Sequence, residues 1–152
     1  MLKASIAVLV SGGGTNLQAL LDAQACGELK SGEIRLVIAD RPGIGAIARA
    51  QAAGAACAVA VRREAGFEAQ VQELLAQYRI DMAVLAGFLG ILSPEFIRTF
   101  GKPILNIHPS LIPSFCGKGF YGLRVHQAAL DYGVKVTGAT VHLVNEVPDG
   151  GK

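Results

Sequence analysis

The sequence predicts an α/β fold of the doubly wound kind, a mostly parallel sheet with helices on both faces. Three observations predict it. Short apolar runs alternate with segments of helical period along the chain. The glycine cluster Ser11-Gly12-Gly13-Gly14 joins the first run to the first helical segment. Asn106 and His108, both polar, stand at the end of another run, where ligands bind in open α/β sheets.

Each element has its own signal. Ile6 to Val10 is the first strand, and Leu17, Leu20 and Leu21 beyond the glycines lie at i, i+3, i+4. Ile34 to Ala39 is the second strand, closed by the turn residues Asp40-Arg41-Pro42-Gly43. Ile44 to Ala53 is helical, and Gly54 is placed to stop it. Cys57 to Val61 is a third strand. Phe67, Val71, Leu74, Leu75 and Tyr78 form the clearest amphipathic stripe. Met82 to Ala86 is a fourth strand, and Ser93-Pro94 supplies the cap and first-turn residues of a helix. Ile104 to Ile107 is a fifth strand, leading into a Pro-, Gly- and aromatic-rich loop from Pro109 to Gly122. Val125, Ala128, Ala129 and Tyr132 mark a last helix, and Val136 to Val144 alternates as a sixth strand.

Residues 1–152 read as a single domain, since this length buries a core and no linker or repeat interrupts it. With 51% hydrophobic and 17% charged residues, disorder is excluded as a class. No apolar run reaches the roughly 20 residues of a membrane span, and the expected location is the cytoplasm. A formal charge of +2 from scattered basic residues argues against a nucleic-acid partner. Cys26, Cys57 and Cys116 are odd in number and widely spaced, which suggests neither disulfides nor a metal centre.

The Ser11–Asn16 turn lets backbone approach a ligand closely, and the N–H groups of the following helix start suit an anion such as phosphate. It lacks the lysine of a Walker loop and the spacing of a dinucleotide fingerprint. A tight turn with no ligand is the plainer reading. In Asn106-Ile107-His108 the two polar side chains share one face of a strand. Histidine can serve as acid or base, and the asparagine amide can steady a developing oxyanion. Asp149 could hold such a histidine, although Pro148-Asp149-Gly150 is also an ordinary turn sequence. His142 is either a core residue or a supporting partner, and His126 reads as surface. No His/Cys/carboxylate set has metal spacing.

Together these residues resemble the folate-dependent formyltransferases, and among them the phosphoribosylglycinamide formyltransferases of purine synthesis. The matching segments are Ser11 to Ala19, Leu85 to Leu89, Ile91 to Pro94, Asn106 to Pro113, Gly138 to His142 and Asp149 to Gly151, in order along the chain. The resemblance implies a Rossmann-type strand order and transfer of a formyl group from 10-formyltetrahydrofolate to the amine of 5'-phosphoribosylglycinamide, without a metal. It implies Asn106, His108 and Asp149 as catalytic residues, with Thr140 and His142 supporting them. Gly14, Thr15 and Asn16 would take the substrate phosphate. Arg63, Leu89, Gly90, Ile91, Leu92, Asn106, Asn145, Glu146, Val147, Pro148 and Asp149 would contact the folate. Some relatives carry Arg where this chain has Gly90.

The resemblance further implies small-molecule partners and a monomer or homodimer. Family members continue past the position of Lys152 with another strand and helix, so this chain reads as truncated at its C-terminus. Two other readings remain at this point. One is a formyltetrahydrofolate deformylase with water as acceptor, which Met1 opening directly on the first strand disfavours. The other is an inactive remnant that binds ligand without turnover.

Overall fold

A computed structural model describes residues 3–152. Six strands form one sheet in the order β3-β2-β1-β4-β5-β6. In chain order the elements are β1 (Ala4–Val10), α1 (Thr15–Ala25), β2 (Gly32–Ala39), α2 (Gly45–Ala52), β3 (Ala56–Val59), α3 (Phe67–Gln77), β4 (Met82–Leu85), α4 (Pro94–Phe100), β5 (Ile104–His108), α5 (Leu123–Tyr132) and β6 (Thr140–Leu143). All neighbouring pairs are parallel except β5 and β6. The sheet is therefore α/β and mostly parallel, as the alternating runs predict.

β1 lies at the centre because both of its faces are apolar. Ile6, Val8 and Val10 pack with Leu17 and Leu21 of α1 and with Ala46 and Ala50 of α2. Ala7 and Leu9 face the other way, toward Val71 and Leu75 of α3 and Phe96 of α4. A strand covered on both sides reads as a continuous apolar run. Ser93 begins α4 by accepting the Phe96 N–H on its side chain, with Pro94 in the first turn.

Three strands are shorter than their sequence patterns: β4 ends at Leu85 rather than Ala86, and β3 and β6 are cut back further. β3 ends at Val59 rather than Val61, because its partner β2 ends at Ala39 and the ladder closes with Ala60 N–H on Ala39 O. β6 begins at Thr140 rather than Val136, because its pairing with β5 ends at the His108–Thr140 pair. The next residue on the β5 side is Pro109, which has no N–H to offer a ladder. Val136 is left exposed.

The strand order has one consequence for the site. The carboxyl ends of β1, β4 and β5 lie side by side, so the glycine turn, the loop after β4 and His108 open on one edge of the sheet.

Candidate active site

The glycine turn is shaped by what lies behind it. Gly14 is the residue before α1 and sits at φ +78, and a Cβ there would meet Cα of Ala46 at 2.8 Å. Both facts demand glycine. Helix α2 clamps the turn, with Ala46 N–H at its start donating to Gly12 O and Arg49 Nε from its last turn donating to Gly13 O at 2.8 Å. Arg49 Nη1 also reaches Gln18 Oε1 at 3.2 Å. With these carbonyls tied back, the turn presents exposed Gly12, Gly13, Thr15 and Asn16. No side chain caps α1, whose first backbone bond runs from Gln18 N–H to Gly14 O. An uncapped helix start with free N–H groups and a positive dipole end attracts anions.

The second half of the site is built on the β5–β6 pair. Asn106 stands opposite His142 and His108 opposite Thr140, so four polar side chains tile one face. Asn106 Nδ2 donates to His142 Nε2 at 3.0 Å, and the tautomer that allows this carries its proton on Nδ1, which faces Leu143 O at 3.3 Å. Asp149 reaches back from the loop after β6 at φ +55. Its Oδ1 lies 4.0 Å from His108 Nδ1 and 3.9 Å from His142 Nε2. Neither is a hydrogen bond; the first becomes an ion pair when His108 is protonated, while His142 turns its Nε2 lone pair to Asn106. The Asp149 Oδ2 accepts Gly117 N–H at 3.0 Å. Thr140 donates to Ser110 O and accepts Ile112 N–H, which pins the start of the long loop to β6.

Asn106, His108, Thr140, His142 and Asp149 are thus brought together. His108 and His142 are buried, yet their nitrogens have partners. His126 is exposed on α5. Leu89 and Ile91 are exposed on the loop after β4, whereas Leu92 turns into the core. Val147 is exposed on the facing loop, where Asn145 Oδ1 accepts Val147 N–H. Pro148 is exposed in the same turn. Glu146 is engaged by Arg98 at 2.6 Å, which ties the loop after β6 to α4. Arg63 lies apart from the histidines and lines a cavity of about 180 Å³ with Asp40, Arg41, Val61 and Arg62.

Sequence reasoning did not single out four groups that lie at or beside these residues. Arg62 lies against Gly90, where a Cβ would meet its Cδ at 2.8 Å. Its neighbour in the sequence is also an arginine, and pattern alone could not choose between them. Backbone groups of the Pro109–Gly122 loop also enter the site, with the Phe115 carbonyl accepting from His108 Nε2 at 3.0 Å and the Gly117 amide on Asp149. No residue-type signal marks a carbonyl. Gly151 fits only as glycine, since a Cβ would lie 1.4 Å from Leu143 O. Among the described residues, no group of three His, Cys, Asp or Glu side chains could hold a metal ion. Nor is any described helix long and apolar enough to cross a membrane.

Comparison with known proteins identifies the family. The Formyl transferase family model matches residues 4–152. The chloroplastic phosphoribosylglycinamide formyltransferase of Arabidopsis thaliana is 35% identical over 155 residues, covering 99% of this chain and 53% of that protein. The phosphoribosylglycinamide formyltransferase of Haemophilus influenzae is 39% identical over 150 residues, covering 96% of this chain and 68% of that protein. The chain therefore spans about half to two thirds of these relatives. The crystal structure of phosphoribosylglycinamide formyltransferase from Brucella melitensis superposes with a TM-score of 0.87 at 40% identity, covering 99% of this chain and 76% of that one. Sheet order, glycine turn and family match converge, and the chain belongs to the formyl transferase family.

Proposed function

We propose that this chain, acting as one domain in the cytoplasm, moves a formyl group from 10-formyltetrahydrofolate to the amine of 5'-phosphoribosylglycinamide. The observation that carries this reading is the meeting of Asn106, His108 and Asp149 beside an uncapped helix start on one edge of the sheet. The substrate phosphate rests on the N–H groups of Gly14, Thr15 and Asn16. The folate lies between exposed Leu89 and Ile91 on one side and the Asn145–Asp149 loop on the other, with Arg62 or Arg63 near its anionic end.

Attack of the amine places negative charge on the formyl oxygen. The Asn106 amide, already oriented by His142, donates to that oxygen. His108 shares the charge when protonated, because Asp149 faces its Nδ1. The same imidazole then supplies or relays the proton the departing folate nitrogen needs. The Phe115 carbonyl occupies His108 Nε2, so the loop must yield that nitrogen before it can act.

The test is the purified chain given both substrates, with products separated by chromatography. Formyl appearing on the amine only when both are present supports the reading. Release of tetrahydrofolate at the same rate without the amine assigns water as the acceptor instead.

A further inference from the structure

A buried chain of polar side chains lies beneath the exposed parts of the site. Ser11 closes β1 immediately before the glycine turn and is almost fully buried. Its backbone N–H donates to Gly87 O at 3.2 Å, and its hydroxyl oxygen accepts Leu89 N–H at 2.8 Å. One small residue thereby grips the loop after β4 at two points. The serine has a single hydroxyl proton, and it goes to Asp40 Oδ2 at 2.8 Å.

Asp40 closes β2 and has a side chain only 1% exposed. It accepts from Arg41 Nε at 2.9 Å and from Arg62 Nε at 3.0 Å. Burial by itself would raise the pKa of this carboxyl. The hydrogen bonds from Arg41 and Ser11, the charge of Arg41 and the bond from Arg62 together outweigh it and hold the group below the ordinary range. An ionised carboxylate can only accept, so it fixes the direction of the chain. The hydroxyl proton must point at Asp40, and a lone pair must face Leu89 N–H.

We propose that Ser11 and Asp40 are positioning residues that lock the Gly87–Leu92 loop in register with the glycine turn, so that the two ligand-holding segments move as one piece. The inference rests on the reading of that loop as a folate contact, and it deepens that reading by naming what holds the loop. Neither side chain touches the reacting atoms. Their effect is felt as co-substrate affinity.

Hydrogen exchange at the Leu89 amide tests the lock directly and needs no activity. Ser11→Ala removes the acceptor, and Asp40→Asn introduces an amide donor that competes with Leu89 for the same oxygen. Loss of one net hydrogen bond should speed Leu89 exchange about three- to tenfold while core amides such as Leu9 are unchanged. Ser11→Thr, which keeps the hydroxyl, should restore protection. In the transfer assay the same two variants should raise the KM for the folate several-fold, and by more than they change the KM for the phosphorylated amine.

Unchanged Leu89 exchange in Ser11→Ala overturns the proposal. So does faster exchange with the folate KM unmoved, or a loss of protection spread evenly over the sheet. A wild-type chain without transfer activity would defeat the functional reading alone, and the Leu89 exchange would still decide the lock.

Discussion

In the proposed transfer His108 is the residue on which the chemistry turns, and its surroundings say what its loss should do. It is buried with one nitrogen on a backbone carbonyl and the other facing a carboxylate. Replacing it with Ala should lower kcat by about 10²- to 10⁴-fold, the usual range for a positioned acid or base. Affinity for the phosphorylated amine, measured by calorimetry, should stay nearly unchanged because the glycine turn is untouched. Asp40 makes a different prediction, in stability against pH. Its folded pKa lies below the unfolded value, so its stabilisation is complete above about pH 4 and is lost as pH falls through the lower folded value. The difference in unfolding free energy between wild type and Asp40→Asn should therefore be constant near neutrality and shrink in acid. Denaturant titrations at pH 7, 4 and 3 would reveal a contrary trend. Burial also pushes the half-buried Cys57 thiol up, so a maleimide at pH 7 should label exposed Cys26 first.

Among the elements, α2 shapes the site from behind, and the loop after β6 carries Asp149 into it. Arg49 of α2 holds the Gly13 carbonyl from behind, and its length and charge are both used. Arg49→Met should raise the KM for the phosphorylated amine about three- to tenfold, since one charge-assisted bond to the turn is lost, with kcat little altered. A kcat loss of the same size would contradict a role confined to the turn. Gly151→Ala should be more damaging, because the added carbon cannot coexist with the Leu143 carbonyl and the loop carrying Asp149 must shift. Activity should fall at least tenfold if Asp149 has the proposed role, as expected when a reacting group is displaced by about an ångström. The elements themselves were legible in sequence wherever a period repeated, as in the α3 stripe or the continuous run of β1. Strand ends were not, since β3 and β6 stop where their neighbours stop. That is a fact about partners rather than about Val61 or Val136.

At the scale of the whole molecule, stability comes from a sheet buried on both faces around β1. Leu9→Ala, at a side chain only 1% exposed, should cost about 2–5 kcal/mol in denaturant unfolding, the range for a buried leucine. The α/β architecture followed from alternation of runs, and the polar pair at residues 106 and 108 followed from strand periodicity. What joins distant parts was hidden, because Ser11, Asp40, Arg62 and the Phe115 carbonyl become neighbours only once the strands are ordered. The central place of β1 has one more consequence. Its inner neighbours are β2 and β4, and Ile6 finds its β4 partner only at Met82. Assembly must therefore close a long loop before the apolar middle strand is shielded on both edges, which favours folding over milliseconds to seconds. Until β4 arrives, the nascent sheet carries an unpaired, water-averse border, and chaperone dependence at that moment would be its visible trace.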